Sequence, residues 1–237
     1  VQHTEPTAVI VIGGDPPDRR VLDRLPTRAT VFAADSGLDH ASALGLHADV
    51  LIGDLDSVSA EAVEQAALAG TVVHRHDPDK DATDSELAID AAIAAGHTRL
   101  VVVSGGGGRL DHLFGSLMLL ARPFARPLDR AGAGRVEAWI GSAHIDVLHG
   151  PGSVVVGGTP GDVVSLVPLG GAARGITTSG LRWPLVDEDL DWRATRGISN
   201  ELVAATATVS LTDGVLAVIA PHALDTSVDT PLEGQQS

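Results

Sequence analysis

Cysteine is absent from this 237-residue chain, and so is tyrosine. Without a thiol there is no disulfide framework, no thiolate zinc site and no cysteine nucleophile, and a reducing cytoplasm is the expected compartment. No such staple is needed, because a chain of this length holds one large or two small domains with ample apolar area to bury. Long hydrophobic runs are missing too. None approaches the roughly 20 residues that span a bilayer, and the apolar stretch 8–12 is shorter than a signal-peptide core, so no membrane partner is expected. Positive charge is scarce: 16 basic residues against 31 acids give a formal net charge of -15 with no basic stripe, which argues against broad binding to nucleic acid. An acidic pocket can still take phosphate if its carboxylates hold a divalent cation, which reverses the local sign. Neither a Gly-x-Ser-x-Gly elbow nor a His-Glu-x-x-His helix occurs, so serine-hydrolase and zinc-protease chemistry lack support.

What is present divides into two textures. Through residue 148, short apolar runs at 8–12, 30–34, 50–52, 71–74, 100–104, 136–140 and 144–148 alternate with alanine-rich stretches at 37–44, 60–69, 83–95 and 110–121. That alternation predicts an α/β fold, a Rossmann-like α/β/α domain over 1–148 with a mainly parallel sheet. The helices stop at or near Gly45, Gly70, Gly96 and Pro123, the usual punctuation. Thr83 and Glu86 have capping-box spacing at the start of the third. Residues 122–135, rich in Pro, Arg and Gly, predict an exposed connection. From 149 to 222 short β-rich runs at 154–156, 163–168, 203–211 and 215–219 are separated by Gly and Pro turns, which predicts a second, all-β sandwich-like domain. The segment 223–237 has little to bury and is expected to be a disordered tail.

Three segments could carry chemistry. In Gly53-Asp54-Leu55-Asp56-Ser57 a buried-looking strand runs into two carboxylates two residues apart. If the backbone stays extended, both face one side and can share a divalent cation beyond the strand's carboxyl end. A solvated turn is the plainer alternative. The second segment, 77–86, has four Asp in eight residues, Asp77, Asp79, Asp81 and Asp84, around Lys80, the only lysine in the chain. Helix-dipole and capping preferences account for Asp84 and Glu86, less well for Asp81, and Lys80 could simply be a local ion pair. The third, Ser104 through Gly105, Gly106, Gly107 and Gly108 to Arg109, Leu110, Asp111 and His112, is a strand, a glycine loop and a helix start. Backbone amides, helix dipole and Arg109 suit an anion there, although neither the dinucleotide fingerprint nor the P-loop is matched. His74 and His76 lack a third ligand and read as ordinary surface histidines.

In order, Gly53 to Ser57, Asp81 to Glu86 and Gly107 to His112 resemble the thiamine pyrophosphokinase family, whose pattern is Gly-Asp-x-Asp-Ser, Asp-x-Thr-Asp-x-Glu and Gly-Gly-Arg-x-Asp-His. Ala34-Asp35-Ser36-Gly37 resembles its opening segment, with Ser36 and Ala48 departing from the commoner residues. Thr178 to Leu185, Gly197 to Glu201 and the 214–219 strand continue the likeness, so it covers roughly residues 8 to 220. The first strand departs from it, running into Gly13-Gly14-Asp15 where the family has Asn-Gly. The resemblance implies transfer of diphosphate from ATP to the hydroxyl of thiamine, with Mg2+ as cofactor. It carries over Asp54, Asp56 and Asp81 as metal ligands, and these with Arg109 and Asp111 as the catalytic set. Asp35, Ser57, Lys80, Thr83, Asp84, Gly107, Gly108 and Arg109 follow as ATP contacts, and Asp111, Trp183, Ser199 and Asn200 as thiamine contacts. It also implies a homodimer whose thiamine site uses both subunits. Two rivals remain: a pyrophosphokinase of the same fold acting on another alcohol such as a hydroxymethyl pterin, and a sensor that binds nucleotide or thiamine diphosphate without turnover.

Overall fold

The computed structural model describes residues 5–122 and 134–225. Most of the predicted 122–135 connection, and the predicted tail beyond 225, lie outside the described residues.

The first half builds β1 (Thr7–Val11), β2 (Thr30–Ala34), α1 (Gly37–Leu44), β3 (Val50–Gly53), α2 (Ala60–Leu68), β4 (Val72–Arg75), α3 (Asp84–Ala94), β5 (Arg99–Ser104), α4 (Leu110–Leu119), β6 (Arg135–Ile140) and β7 (Ala143–His149). Strands β4-β3-β2-β1-β5-β6 lie side by side and parallel. Because side chains alternate across a strand, Ala8, Ile10 and Ile12 join Phe32, Ile52 and the Ala88–Ile89–Ala92 face of α3 in one core. Val9 and Val11 point the other way, to Ala41 and Leu44 of α1, and α2 covers Leu51 on that same side. The result is the helix-covered parallel sheet that the alternating pattern predicts. Gly37 shows how tightly α1 sits on it: a Cβ there would fall 2.1 Å from the Val11 carbonyl oxygen, so only glycine lets this helix begin against β1.

The second half adds β8 (Gly152–Gly157), β9 (Val163–Pro168), β10 (Ala173–Ser179), β11 (Glu188–Leu190), β12 (Asn200–Glu201), β13 (Thr206–Leu211) and β14 (Val215–Ala220). It does not stand apart from the first. β14 pairs antiparallel with β7, β9 with β14 and β12 with β9, so the sheet runs on to ten strands. A second antiparallel sheet, β11-β10-β13-β8, packs over that extension. Leu148, Leu166, Leu216 and Val218 from the large sheet meet Ile176, Val209 and Leu211 from the small one. One layer of the sandwich is therefore the far end of the shared sheet, a pairing between distant segments that local pattern does not reveal.

Two smaller differences have local causes. The run predicted at 203–211 forms a strand only from Thr206, since Val203 lies exposed in the preceding turn. Residues 223–225 are folded, unlike the tail expected there: Leu224 is buried beside Trp139, and its N–H donates to the Ser142 carbonyl at 3.1 Å.

Candidate active site

Among the parallel strands the order reverses at β1, between the β1–β4 run and β5, and in open α/β sheets ligands gather beyond the strand ends at such a point. The turns after β2 and β3 each carry a carboxylate. Asp35 follows β2 in a left-handed conformation, φ 46, with its N–H donated to the Ile52 carbonyl at 2.8 Å. After β3 the chain does not remain extended as the spacing argument required. Leu55 is left-handed, φ 65, and its buried side chain packs with Leu38, Leu51 and Val58. Left-handed backbone is costly for a leucine and is the kind of strain held at functional turns. The turn is closed by the Asp56 N–H donating to Asp54 Oδ1 at 3.2 Å. The carboxylates converge by this turn rather than by strand alternation: oxygens of Asp35, Asp54 and Asp56 all lie within 4.8 Å of one another.

Lys80 and α3 close the acidic wall. Lys80 Nζ is 2.7 Å from Asp54 Oδ2 and 3.1 Å from Asp84 Oδ1, and its side chain is 16% exposed. Burial alone would pull the Lys80 pKa down, but the Asp54 and Asp84 carboxylates outweigh it and hold the pKa raised. Hydrogen bonding from Lys80 in turn lowers Asp54. Thr83 caps α3, its Oγ1 accepting from the Glu86 N–H at 3.2 Å, while the Glu86 carboxylate pairs with Arg122 at 2.9 Å. One lysine leaves charge uncompensated: Asp35 Oδ1 is buried without a hydrogen-bond partner, and Asp84 Oδ1 has only the Lys80 ammonium at 3.1 Å. Burial first, then the Asp84 and Asp56 carboxylates, push the Asp35 pKa up against hydrogen bonds from Ser57 and the Ser36 N–H.

That shift has a testable sign. A raised carboxyl pKa in the folded state means Asp35 favours folding at pH below the ordinary carboxylate range and loses that contribution as pH rises through its folded pKa. Asp35→Asn, tolerated in left-handed backbone, should make the metal-free protein more stable at pH 7 by roughly 1 kcal/mol. In urea titrations the gain should shrink on acidification.

Opposite the acids, the loop after β5 is strapped to the loop after β1. The Asp15 N–H donates to Gly106 O at 2.6 Å, the Gly105 N–H to Asp15 O at 3.0 Å, and Ser104 Oγ to Gly13 O at 2.8 Å. Gly106, Gly107 and Gly108 are all left-handed, φ 76, 62 and 69, a run only glycine sustains without strain. α4 starts at this loop without a side-chain cap from Arg109; the His112 N–H is taken by Asp111 Oδ1 at 3.0 Å, and the positive end of the helix dipole still favours an anion there. Arg109 pairs with Asp111 at 2.6 Å, both largely exposed, and this bond lowers the Asp111 pKa to about 2. Acids and glycine loop enclose a cavity of about 780 Å³ lined by Gly13, Gly14, Asp35, Asp54, Ser57, Lys80, Thr83, Asp84, Gly107, Gly108, Arg109 and Asp111, among others.

A second cavity, about 460 Å³, lies in the β-rich half, lined by Trp183, Pro184, Leu185, Arg196, Gly197, Ile198 and Asn200. It shares no lining residue with the first. Trp183 is half exposed beneath the Arg182 guanidinium, 4.9 Å from the ring centroid. Ser199 is exposed and left-handed, φ 58, with its N–H donated to Ser165 Oγ at 3.0 Å. Asn200 is buried, with its side chain turned to the backbone of Trp183.

Most of the first cavity's lining and all of the second's fall within two family matches. The model described as "Thiamin pyrophosphokinase, catalytic domain" matches residues 23–129, and "Thiamin pyrophosphokinase, vitamin B1 binding domain" matches residues 150–216. The chain belongs to the thiamine pyrophosphokinase family. Curated relatives agree: it is 25% identical over 193 residues to the thiamine pyrophosphokinase of Bacillus subtilis, covering 81% of this chain and 83% of that one. It is 28% identical over 159 residues to thiamine pyrophosphokinase 2 of Arabidopsis thaliana, covering 64% and 57%. Among solved structures, the thiamin pyrophosphokinase of Geobacillus thermodenitrificans superposes with a TM-score of 0.72 at 28% identity, over 94% of this chain and 99% of that one. The Bacillus subtilis structure superposes with a TM-score of 0.74 at 23% identity, over 90% and 98%, a likeness of fold.

Within this thiamine pyrophosphokinase fold not every predicted site residue falls at a cavity. Asp81 is exposed and stands outside both the carboxylate group and the cavity lining; Asp35, expected as a nucleotide contact, lines the cavity and also completes the group. His74 and His76 join no potential ligand group among the described residues. Glu137, His144 and Asp146 do form one, but Arg99 and Arg135 already pair with its acids at 2.9 Å each. Asp15 and Ser104 escaped the sequence argument. The signal for Asp35 was available, since it follows its strand as Asp54 follows the next.

Proposed function

We propose that the protein transfers the terminal diphosphate of ATP to the hydroxyl of thiamine, giving thiamine diphosphate and AMP. The hydroxyl oxygen attacks the β-phosphorus and releases its proton to water, and the bond from that phosphorus to the α,β-bridging oxygen breaks with its electron pair leaving on AMP. The observation that carries this is the facing of two unlike walls across one cavity: converging carboxylates with the buried Asp35 oxygen unpartnered on one side, and a glycine loop opening a helix without a side-chain cap on the other.

Asp35, Asp54 and Asp56, with Asp84 beside them, suit a hard, oxygen-liganded cation such as Mg2+. Bound there, it would supply charge neutralisation for phosphate oxygens in an otherwise repulsive pocket. Asp81 could reach such a site only from outside the carboxylate group. The Gly107 and Gly108 amides, the α4 N-terminus and Arg109 hold phosphate oxygens, with Ser57, Lys80 and Thr83 around them; Asp111 fixes Arg109 and borders the acceptor. Diphosphate transfer asks for little beyond such positioning and electrostatic support.

Thiamine suits the second cavity, where an apolar wall and a half-exposed indole favour a flat cationic ring by roughly 0.5–2 kcal/mol for the aromatic contact. The separation of the two cavities supports a homodimer in which the β-rich cavity of one copy closes over the α/β cavity of its partner, with thiamine between. Leu110, Phe114 and Met118 on α4, and Trp192 and Ile198 in the β-rich half, are exposed apolar side chains that such an interface would bury. A cytoplasmic setting suits these substrates. The retained carboxylates weigh against a sensor without turnover.

The test is an acceptor comparison. Purified protein with ATP and Mg2+ is offered thiamine or a hydroxymethyl pterin, and products are separated chromatographically. Thiamine diphosphate is expected and pterin diphosphate is not; the reverse would move the protein to the pterin alcohols, and thiamine binding without product would make it a sensor.

A further inference from the structure

Asn200 lies on the two-residue strand β12, 5% exposed, at the edge of the cavity that holds Trp183. Its side-chain oxygen accepts two backbone hydrogen bonds, from the Trp183 N–H at 3.1 Å and the Glu201 N–H at 2.9 Å. Its Nδ2 donates to the Trp183 carbonyl at 2.8 Å. The opposite amide orientation would set Nδ2 against two N–H donors, so the bonding pattern fixes which end is which. Both lone pairs of Oδ1 are therefore taken, and one of the two Nδ2 protons. A buried side chain so committed has at most a single N–H left for a ligand.

The bonds on either side explain why Trp183 needs this partner. Arg182 donates its N–H to Glu201 O at 2.9 Å, and Leu185 donates its N–H to Thr178 Oγ1 at 2.9 Å. Trp183 sits between these anchors. The amide of Asn200 takes the place of a neighbouring strand for it, satisfying its donor and its acceptor together. The indole above is braced separately: the Arg182 guanidinium stacks on it and is itself held by Glu201 Oε2 at 2.7 Å.

We infer that Asn200 is a positioning residue for the acceptor, acting through Trp183 by fixing the backbone from which the indole forms the cavity wall. The inference rests on the proposal that this cavity receives thiamine. It assigns Asn200 a different role from that of the direct ligand contact the resemblance implied. A ring held at its backbone need not be ordered when the ligand arrives, so the gain appears in acceptor binding rather than in the chemical step.

The experiment is a double-mutant cycle in steady-state kinetics on the full-length protein, with Trp183→Ala, Asn200→Ala and the double variant. Trp183→Ala should raise the thiamine KM about tenfold. Asn200→Ala should raise it by a similar factor, with kcat and the ATP KM within about twofold of the parent. The double variant should be no worse than Trp183→Ala alone. Asn200→Asp, which keeps both acceptor bonds but sets an anionic oxygen against the Trp183 carbonyl in place of the Nδ2 donation, should also raise the thiamine KM, and stands in if the alanine variant does not fold. Factors that multiply in the double variant, or an unchanged thiamine KM in both Asn200 variants while Trp183→Ala raises it, would overturn the positioning role alone. An unchanged thiamine KM in Trp183→Ala would instead remove the acceptor from this cavity, and the inference with it.

Discussion

Asp56→Asn is expected to lower kcat by about three orders of magnitude while leaving the melting temperature close to that of the parent. The carboxylate is exposed, and its hydrogen bond is with the neighbouring Ser57 hydroxyl at 2.8 Å, so the fold asks little of it. The cation site asks more, because an amide is a neutral and weaker ligand for a hard cation than a carboxylate. Asp81→Asn is the matched control. Its side chain is equally acidic in sequence but exposed and outside the group, so its kcat should stay within about threefold of the parent, as surface changes usually do. Equal losses in the two variants would mean that the 77–83 segment folds inward when substrates bind. Normal activity in Asp56→Asn would remove Asp56 from the site.

Lys80→Met should act on both stability and turnover. The ammonium is the one lysine of the chain and sits between Asp54 and Asp84 with little exposure. Removing it leaves mutually repelling carboxylates with no internal cation. Breaking a fully buried pair costs several kcal/mol; with partial solvent access roughly 2 kcal/mol is appropriate, or about 4–8 °C in Tm for a chain of this size. Measured in EDTA the drop should be full, and in Mg2+ smaller, because a cation that binds only the folded state stabilises it by mass action. Turnover should fall about a hundredfold, the scale for losing one preorganised charge at a phosphoryl centre. A Tm drop that Mg2+ does not reduce would separate Lys80 from the cation site.

Much of this was legible in the sequence where structure is local. The strand at 30–34, the helix at 37–44 and the strand at 163–168 appear with the predicted bounds, because each is an apolar run with clear punctuation. The capping role of Thr83 was equally plain. Strand β10 was not, since Gly175 interrupts it and breaks the alternation of its buried and exposed residues. The joining of β14 to β7 was invisible for a different reason: antiparallel pairing between distant segments leaves no local period.

The site followed the same division. Asp54 and Asp56 were found by spacing, though the bend at Leu55 that unites them depends on a leucine finding a core pocket, which spacing does not encode. Asp35 was expected as a nucleotide contact, and only the strand order shows that it also stands beside Asp54. Asn200 was expected as a ligand contact through the resemblance, and only its three backbone hydrogen bonds reveal what holds Trp183 in place.

The most direct test of the central claim is phosphorus NMR of ATP and thiamine incubated with the purified protein, in Mg2+ and in EDTA. AMP and thiamine diphosphate should accumulate in equal amounts with Mg2+ and not form in EDTA. ADP with thiamine monophosphate, or turnover undiminished by EDTA, would contradict diphosphate transfer at a carboxylate-held cation.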